Sequence, residues 1–244
     1  MNLLERYFRQ IPIIGEEGQV KLKNSKVVIV GVGGLGSVVA TYLTMLGVGE
    51  ITLIDYDKVE LSNLNRQFLH TNSDLSKKKV ISGYEKLSSL NPDIKINIID
   101  QKITSNTIES MIKKDMLIVE ALDNIESRYI LFKYAYQKKI PYFHAGVSGF
   151  IGQVSTFIHE KDKPCLFCIL PNNEKKYYKP PVIGTTVGVI GSIQCNEVLK
   201  YITKKGTLLK NKILIWNGLE NTIDYISFSK NVHCPVCGKE VIKK

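Results

Sequence analysis

Runs of apolar and β-branched residues alternate, through the first part of the chain, with stretches whose apolar positions recur at helical spacing. Lys26–Val30 is such a run and stops at Gly31, and Ser37–Leu46 then carries apolar residues three and four apart until Gly47 and Gly49 end it. This pattern predicts strand, glycine turn, helix. Further strands are expected at Glu50–Ile54, closed by Asp55, at Ile94–Ile99 after Asn91-Pro92, and at Met116–Leu122, closed by Asp123, with a helix starting near Glu126. Strands alternating with helices imply a parallel sheet, whose ligand crevice lies outside the carboxyl ends of the strands. The acids that close these strands collect there.

The later half has a different rhythm. Tyr142–Val147 and Gln153–His159 read as strands, Val187–Ile202 as an apolar helix, and Lys212–Trp216 and Thr222–Phe228 as a strand pair joined by the turn chemistry of Asn217-Gly218-Leu219-Glu220-Asn221. The fold class expected is α/β: a Rossmann-like, mostly parallel sheet with helices on both faces and C-terminal antiparallel strands. With 244 residues, 44% apolar and 23% charged, and no Pro/Gly/Ser linker, residues 1–244 are read as one domain. Its parts are an N-terminal helical arm (1–25), a Rossmann-like part (26–160) and a segment of loop, helix and strands (161–244). No apolar run is long enough to cross a membrane and no leader precedes the arm, so a cytoplasmic location is expected.

Charge alters this picture little. Lys and Arg outnumber Asp and Glu 33 to 23, a formal +10 that favours an anionic partner. The lysines are dispersed in pairs and triplets such as Lys77-Lys78-Lys79 and Lys138-Lys139, the pattern of solvated helix faces. No nucleic-acid module accompanies them, and nucleic acid is not expected as a partner.

Candidate chemistry changes it more. Gly31-Val32-Gly33-Gly34-Leu35-Gly36 lies between a strand and a helix, where glycines let backbone amides approach phosphates, and Asp55 ends the next strand where a ribose hydroxyl would lie. Close helix packing alone would explain Gly36 but not the other three. The stretch from Asp55 and Asp57 through Asn63, Asn65, Arg66 and Gln67 to Lys79 then offers acids, amides and cations suited to a ribose and a triphosphate; the alternative is a merely polar loop. Asp123-Asn124 adds a carboxylate for Mg²⁺ or, on the plainer reading, a helix N-cap.

Two C-x₂-C pairs, Cys165/Cys168 and Cys234/Cys237, supply four thiolates, a closed tetrahedral set for structural Zn²⁺. Two disulfides are the alternative, and the long intervening stretch leaves open whether both pairs hold one ion. Cys195, on the apolar helix, is expected to be a buried core residue.

Together these motifs resemble the ThiF/MoeB/HesA family, relatives of ubiquitin-activating enzymes, over nearly the whole chain. Arg6-Tyr7-Phe8-Arg9-Gln10, the glycine turn, Asp55 to Gln67, Ala121-Leu122-Asp123-Asn124, Gly146 to Gln153, Gly188-Val189-Ile190-Gly191-Ser192 and the paired C-x₂-C motifs match the family in order. The resemblance implies ATP-dependent adenylation of the C-terminal glycine of a small ubiquitin-like sulfur carrier ending in Gly-Gly, for thiamine or molybdopterin biosynthesis. It implies that Asp55 binds ribose, that Asn63, Arg66 and Lys79 hold phosphates, that Asp123 serves Mg²⁺ and the reacting centre, and that Gly31, Gly33, Gly34 and Gly36 line the pocket. Arg9 resembles the family arginine that reaches a partner's site, which implies a homodimer. The chain departs from the family where some members carry a thioester cysteine: Ile169 through Gln194 has no thiol, so sulfur is expected from a donor protein or sulfide. Other readings are a tRNA-modifying dehydratase, a peptide-adenylating enzyme, for which the roughly 25 residues before the first strand are too few, and a silent nucleotide-binding interaction protein.

Overall fold

The computed structural model describes residues 3–170 and 180–238, the side chains of Leu3 and Leu4 excepted. Two helices, α1 (Leu3–Arg6) and α2 (Ile11–Lys23), lead into β1 (Lys26–Val30), α3 (Gly34–Leu46), β2 (Glu50–Ile54), α4 (Lys79–Leu90) and β3 (Lys95–Ile99). A short α5 (Ile108–Met111), β4 (Leu117–Glu120) and α6 (Ile125–Lys138) follow, and then β5 (Tyr142–Ser148), β6 (Ile151–Phe157), the long α7 (Gly184–Thr203), β7 (Lys212–Asn217) and β8 (Thr222–Ser227). The thiol-free stretch falls partly on residues 171–179, outside the described residues.

The strands form one sheet in the order β3-β2-β1-β4-β5-β6-β7-β8. The first five run parallel and the last three pair antiparallel. After β3 the chain returns across the sheet to place β4 beside β1, and this reversal opens the crevice in which doubly wound sheets bind ligands.

Helices cover both faces, as the apolar patterns imply. Leu22 of α2, Val39 and Leu43 of α3, Val80 and Leu87 of α4 and Val198 and Ile202 of α7 bury one face together with Ile29, Ile51 and Leu53. On the other face Ile108, Met111, Leu131, Phe132 and Ala135 pack over Val28, Ile118 and Tyr142, and the cysteine segments close that layer. No helix among the described residues is long and apolar enough to cross a membrane.

Several boundaries differ from the sequence reading by one to three residues, β6 at both ends among them, and three of the shifts have a local reason. Helix α3 starts at Gly34, not Ser37, because the Ser37 N–H already bonds the Gly33 carbonyl at 2.9 Å. Helix α7 starts at Gly184, where a Cβ would meet the Asn65 carbonyl oxygen at 2.7 Å, so its glycine is a packing contact and not a helix breaker. Strand β4 ends at Glu120, since the chain beyond Ala121 turns to pass over Gly31.

Candidate functional site

β1 delivers the chain into its glycine turn where the strand order reverses. Gly31 has φ +96°, on the left-handed side that L residues avoid. A Cβ there would lie 2.4 Å from the Ala121 carbonyl oxygen, and one on Gly36 would lie 2.0 Å from that of Gly31, so close backbone approach requires both glycines. Gly33 and Gly34 are half-buried, flanked by Gln67 and by Arg66 and Val187. The first amides of α3 have no intrahelical acceptor, and the turn therefore presents donors of the kind that bind phosphate.

Asp55, at the end of β2, is fixed by two amides: its Oδ2 accepts from Val32 N–H at 2.7 Å and its Oδ1 from Asp57 N–H at 2.8 Å. Burial raises its carboxyl above the usual range, opposed by the Lys79 cation and these two bonds. The lysine triplet is not uniformly a solvated face. Lys77 and Lys78 pair at the surface with Glu85 and Asp100, whereas the Lys79 side chain is 8% exposed and its Nζ donates to Asp57 Oδ2 at 2.9 Å.

On the loop between β2 and α4, Asn63 Oδ1 accepts from Glu60 N–H at 3.1 Å, and Arg66 Nη1 donates to Ser62 O at 2.8 Å and Asn65 Oδ1 at 2.9 Å. Gln67 is buried beside Gly33, and its Oε1 has no hydrogen-bond donor among the described residues. A buried, orphaned amide oxygen next to a half-buried glycine fits a ligand with its own donors, such as a nucleoside.

Asp123 is exposed and follows β4. Together with Asp55 and Asp57 it helps hold the Tyr56 phenol above its ordinary value, after the larger effect of burial. Asn124 is the helix cap: its Oδ1 accepts from Ser127 N–H at 2.8 Å.

Beneath this edge lies a charged cluster that sequence reasoning missed. Glu120 is fully buried, with Arg128 Nε donating to its Oε1 at 2.9 Å and His144 Nδ1 to its Oε2 at 2.5 Å, and Gln153 Nε2 donates to His144 Nε2 at 2.9 Å. Arg128 also donates to the Leu122 carbonyl at 2.9 Å, tying α6 to the loop that carries Asp123. The only signal in the sequence is a glutamate ending an otherwise apolar run. Burial pushes the His144 imidazole below its ordinary value, so a neutral ring bonds an ionised Glu120.

Burial also depresses His70, and it brings His159, whose Nε2 donates to Ile140 O at 2.7 Å, down to about 4. All three histidines gain protons on unfolding below their unfolded value near 6.5, so their contribution to stability is present above that pH and lost below it. Each histidine kept neutral costs about 1.4 kcal/mol per pH unit there. Urea unfolding at pH 7.5 and 5.5 is expected to show a loss of at least about 1 kcal/mol, the share of His159 alone; an unchanged midpoint would show that these rings protonate freely in the fold.

The four Sγ atoms of Cys165, Cys168, Cys234 and Cys237 lie within 4.8 Å of one another, including 3.4 Å for Cys165 to Cys234 and 3.3 Å for Cys168 to Cys237. Tetrahedral thiolates on zinc stand about 3.8 Å apart. The donor set therefore fits one ion shared by both pairs, and all four are free thiols. Cys195 is buried, with its thiol pushed up to about 12 by desolvation, as expected of an inert core residue.

Arg9 is not brought to this site within the chain. It is exposed, with no ion pair or hydrogen bond among the described residues. Its neighbours Tyr7 and Gln10 contact Gly47 and the Leu46 carbonyl, beyond the far end of α3. The 13 residues of α3 separate them from the glycine turn by about 20 Å.

The ThiF family model matches residues 7–236. The chain belongs to the ThiF family. Among its relatives, the SAMP-activating enzyme E1 of Haloferax volcanii is 33% identical over 243 residues, covering 97% of this chain and 89% of that protein. The sulfur carrier protein adenylyltransferase of Thermus thermophilus is 34% identical over 248 residues, covering 97% and 92%. Among solved structures, E. coli MccB with MccA-N7isoASN aligns with a TM-score of 0.86 at 27% identity, covering 98% of this chain and 76% of that one. The sequence resemblance and the expected fold class both hold.

Proposed function

We propose that this ThiF-family chain adenylates the C-terminal carboxylate of a small ubiquitin-like sulfur carrier ending in Gly-Gly, using ATP and releasing pyrophosphate, as a step in sulfur transfer for thiamine or molybdopterin biosynthesis. The observation that carries this reading is the gathering of the glycine turn, Asp55, Asp57, Arg66, Gln67, Lys79 and Asp123 at the one edge of the sheet where the strand order reverses.

In this reading Asp55 accepts from the ribose, Gln67 satisfies its orphaned oxygen on the nucleoside, and the amides after Gly33 together with Asn63, Arg66 and Lys79 hold the phosphates. Asp123 would hold a Mg²⁺, which when bound would neutralise phosphate charge. A carboxylate is ionised at neutral pH, so no strong general base is required. One carrier carboxylate oxygen attacks the α-phosphorus in line as the bond to pyrophosphate breaks, giving an acyl-adenylate. Alignment and charge neutralisation supply the rate.

Arg9 acts on the site of a second copy, which makes the working unit a homodimer. The four cysteines bind structural Zn²⁺, the protein works in the cytoplasm, and sulfur comes from a separate donor. The direct test is the intact mass of a Gly-Gly carrier after incubation with the protein and Mg-ATP, expected to rise by AMP less water. The structural likeness to MccB favours a peptide substrate as the second reading, and adduct formation on a peptide instead of a carrier would establish it.

A further inference from the structure

We infer that His70 is a positioning residue for this adenylation: its imidazole holds the Val32 carbonyl and so aims the Gly33 amide into the nucleotide crevice. The inference rests on the nucleotide reading of the glycine turn given above.

Val32 and His70 are both buried, and His70 Nε2 lies 3.0 Å from the Val32 carbonyl oxygen. In a planar trans peptide the carbonyl and the following N–H point in opposite directions. A donor that fixes the Val32 carbonyl on one side therefore fixes the Gly33 N–H on the other. The preceding peptide is pinned separately, by Asp55 Oδ2 on the Val32 N–H at 2.7 Å. Two successive peptides of the turn are thus oriented by side chains from different segments. The loop that supplies His70 also supplies Gln67, whose Nε2 would lie 3.4 Å from a Cβ on Gly33 and whose carbonyl accepts from His70 N–H at 2.9 Å. One loop therefore grips both residues of the turn.

The ring's tautomer is set by its other neighbour. A carbonyl only accepts, so Nε2 carries the proton and Nδ1 accepts from the Ser82 hydroxyl at 2.9 Å. Ser82, fully buried on α4, in turn accepts from Lys86 Nζ at 3.0 Å, and Lys86 is ion-paired with Asp74. Asp74 accepts from the N–H and the hydroxyl of Thr71, each at 2.8 Å. Every donor in the series Lys86, Ser82, His70 points toward the glycine turn. Preorganised amides of this kind need no reorientation when phosphate arrives.

A histidine that only fills the core would lower stability when replaced and leave nucleotide affinity alone. The test combines nitrogen NMR of the imidazole in the free protein with steady-state kinetics of His70→Leu, His70→Gln and Ser82→Ala. Expected are an Nε2–H tautomer in the wild type and a rise of about tenfold in KM for ATP in His70→Leu with KM for the carrier unchanged. His70→Gln, which keeps a donor near Nε2, should recover to within about threefold, and Ser82→Ala should raise KM for ATP by a smaller factor. An Nδ1–H tautomer, or an unchanged KM for ATP in folded His70→Leu, or a glutamine variant as impaired as the leucine variant, would overturn the inference. Should His70→Leu fail to fold, the tautomer and Ser82→Ala decide. Absence of wild-type turnover sinks the proposed function and the inference with it, whereas normal turnover with unmoved KM values sinks the inference alone.

Discussion

Replacing Asp123 by alanine is expected to lower carrier-dependent pyrophosphate exchange by about 10²–10³-fold, the scale seen when one preorganised electrostatic group is removed from a reacting centre. Asp123 stands outside the packed layers, just after β4, and its charge is felt at Tyr56 between Asp55 and Asp57. Because Asp123 is exposed, the variant should remain folded, with melting close to that of the parent. Asp123→Asn separates charge from shape: a loss similar to alanine's assigns the effect to the carboxylate's charge, while near-normal exchange would remove Asp123 from the cation site. Raising Mg²⁺ should restore part of the alanine variant's rate.

Substituting Cys237→Ser is expected to cost more than about 4 kcal/mol and lower the melting temperature by about 10 °C. Crowding among buried sulfurs gives the reason. Burial and the neighbouring sulfurs push the Cys165 thiol well above its ordinary value, and burial first, then the bond to Cys168, brings Cys237 up to about 12. A divalent cation offsets that cost by binding thiolates. The same cysteines sit in the layer with Phe132, Phe157 and Phe167, and Phe167 meets Tyr129 of α6 edge-on at 5.0 Å. Loosening them should propagate along α6 to Arg128 and the loop bearing Asp123, so exchange activity should fall with stability. One zinc per chain, removable by a strong chelator with the same drop in melting, is the expected measurement. Purified protein without zinc whose melting ignores chelation would contradict it.

Much of this architecture is legible in the chain because its signals are local. An apolar β-branched run stopped by Gly31, and acids placed at strand ends, locate β1, β2 and the crevice without any long-range information. The cysteine pairs are legible for the same reason: spacing alone names the candidate ligands, and only the fold shows that both pairs meet at one place. The pattern puts the helix starts at Ser37 and Val187 rather than at Gly34 and Gly184 because glycine normally weakens a helix, and only the approach of Arg66, Val187 and Asn65 shows why it is required there. The Glu120–Arg128–His144 cluster was not legible, since Glu120 meets His144 only through the register that sets Val119 against Phe143. His70 was invisible likewise, its partner Val32 lying 38 residues away in the chain. Lys79 shows the limit of composition: three consecutive lysines look alike in sequence, yet one of them turns inward to Asp57.

The measurement that bears most directly on the proposed activity is isotope exchange between pyrophosphate and ATP, run with a carrier ending in Gly-Gly, with the same carrier lacking its last glycine, and with no carrier. The expected result is exchange with the intact carrier alone, abolished in the Asp123→Ala protein. Exchange that is indifferent to the carrier's terminus, or absent with every carrier while the wild-type protein still binds ATP, would contradict adenylation of a Gly-Gly carboxylate as this chain's function.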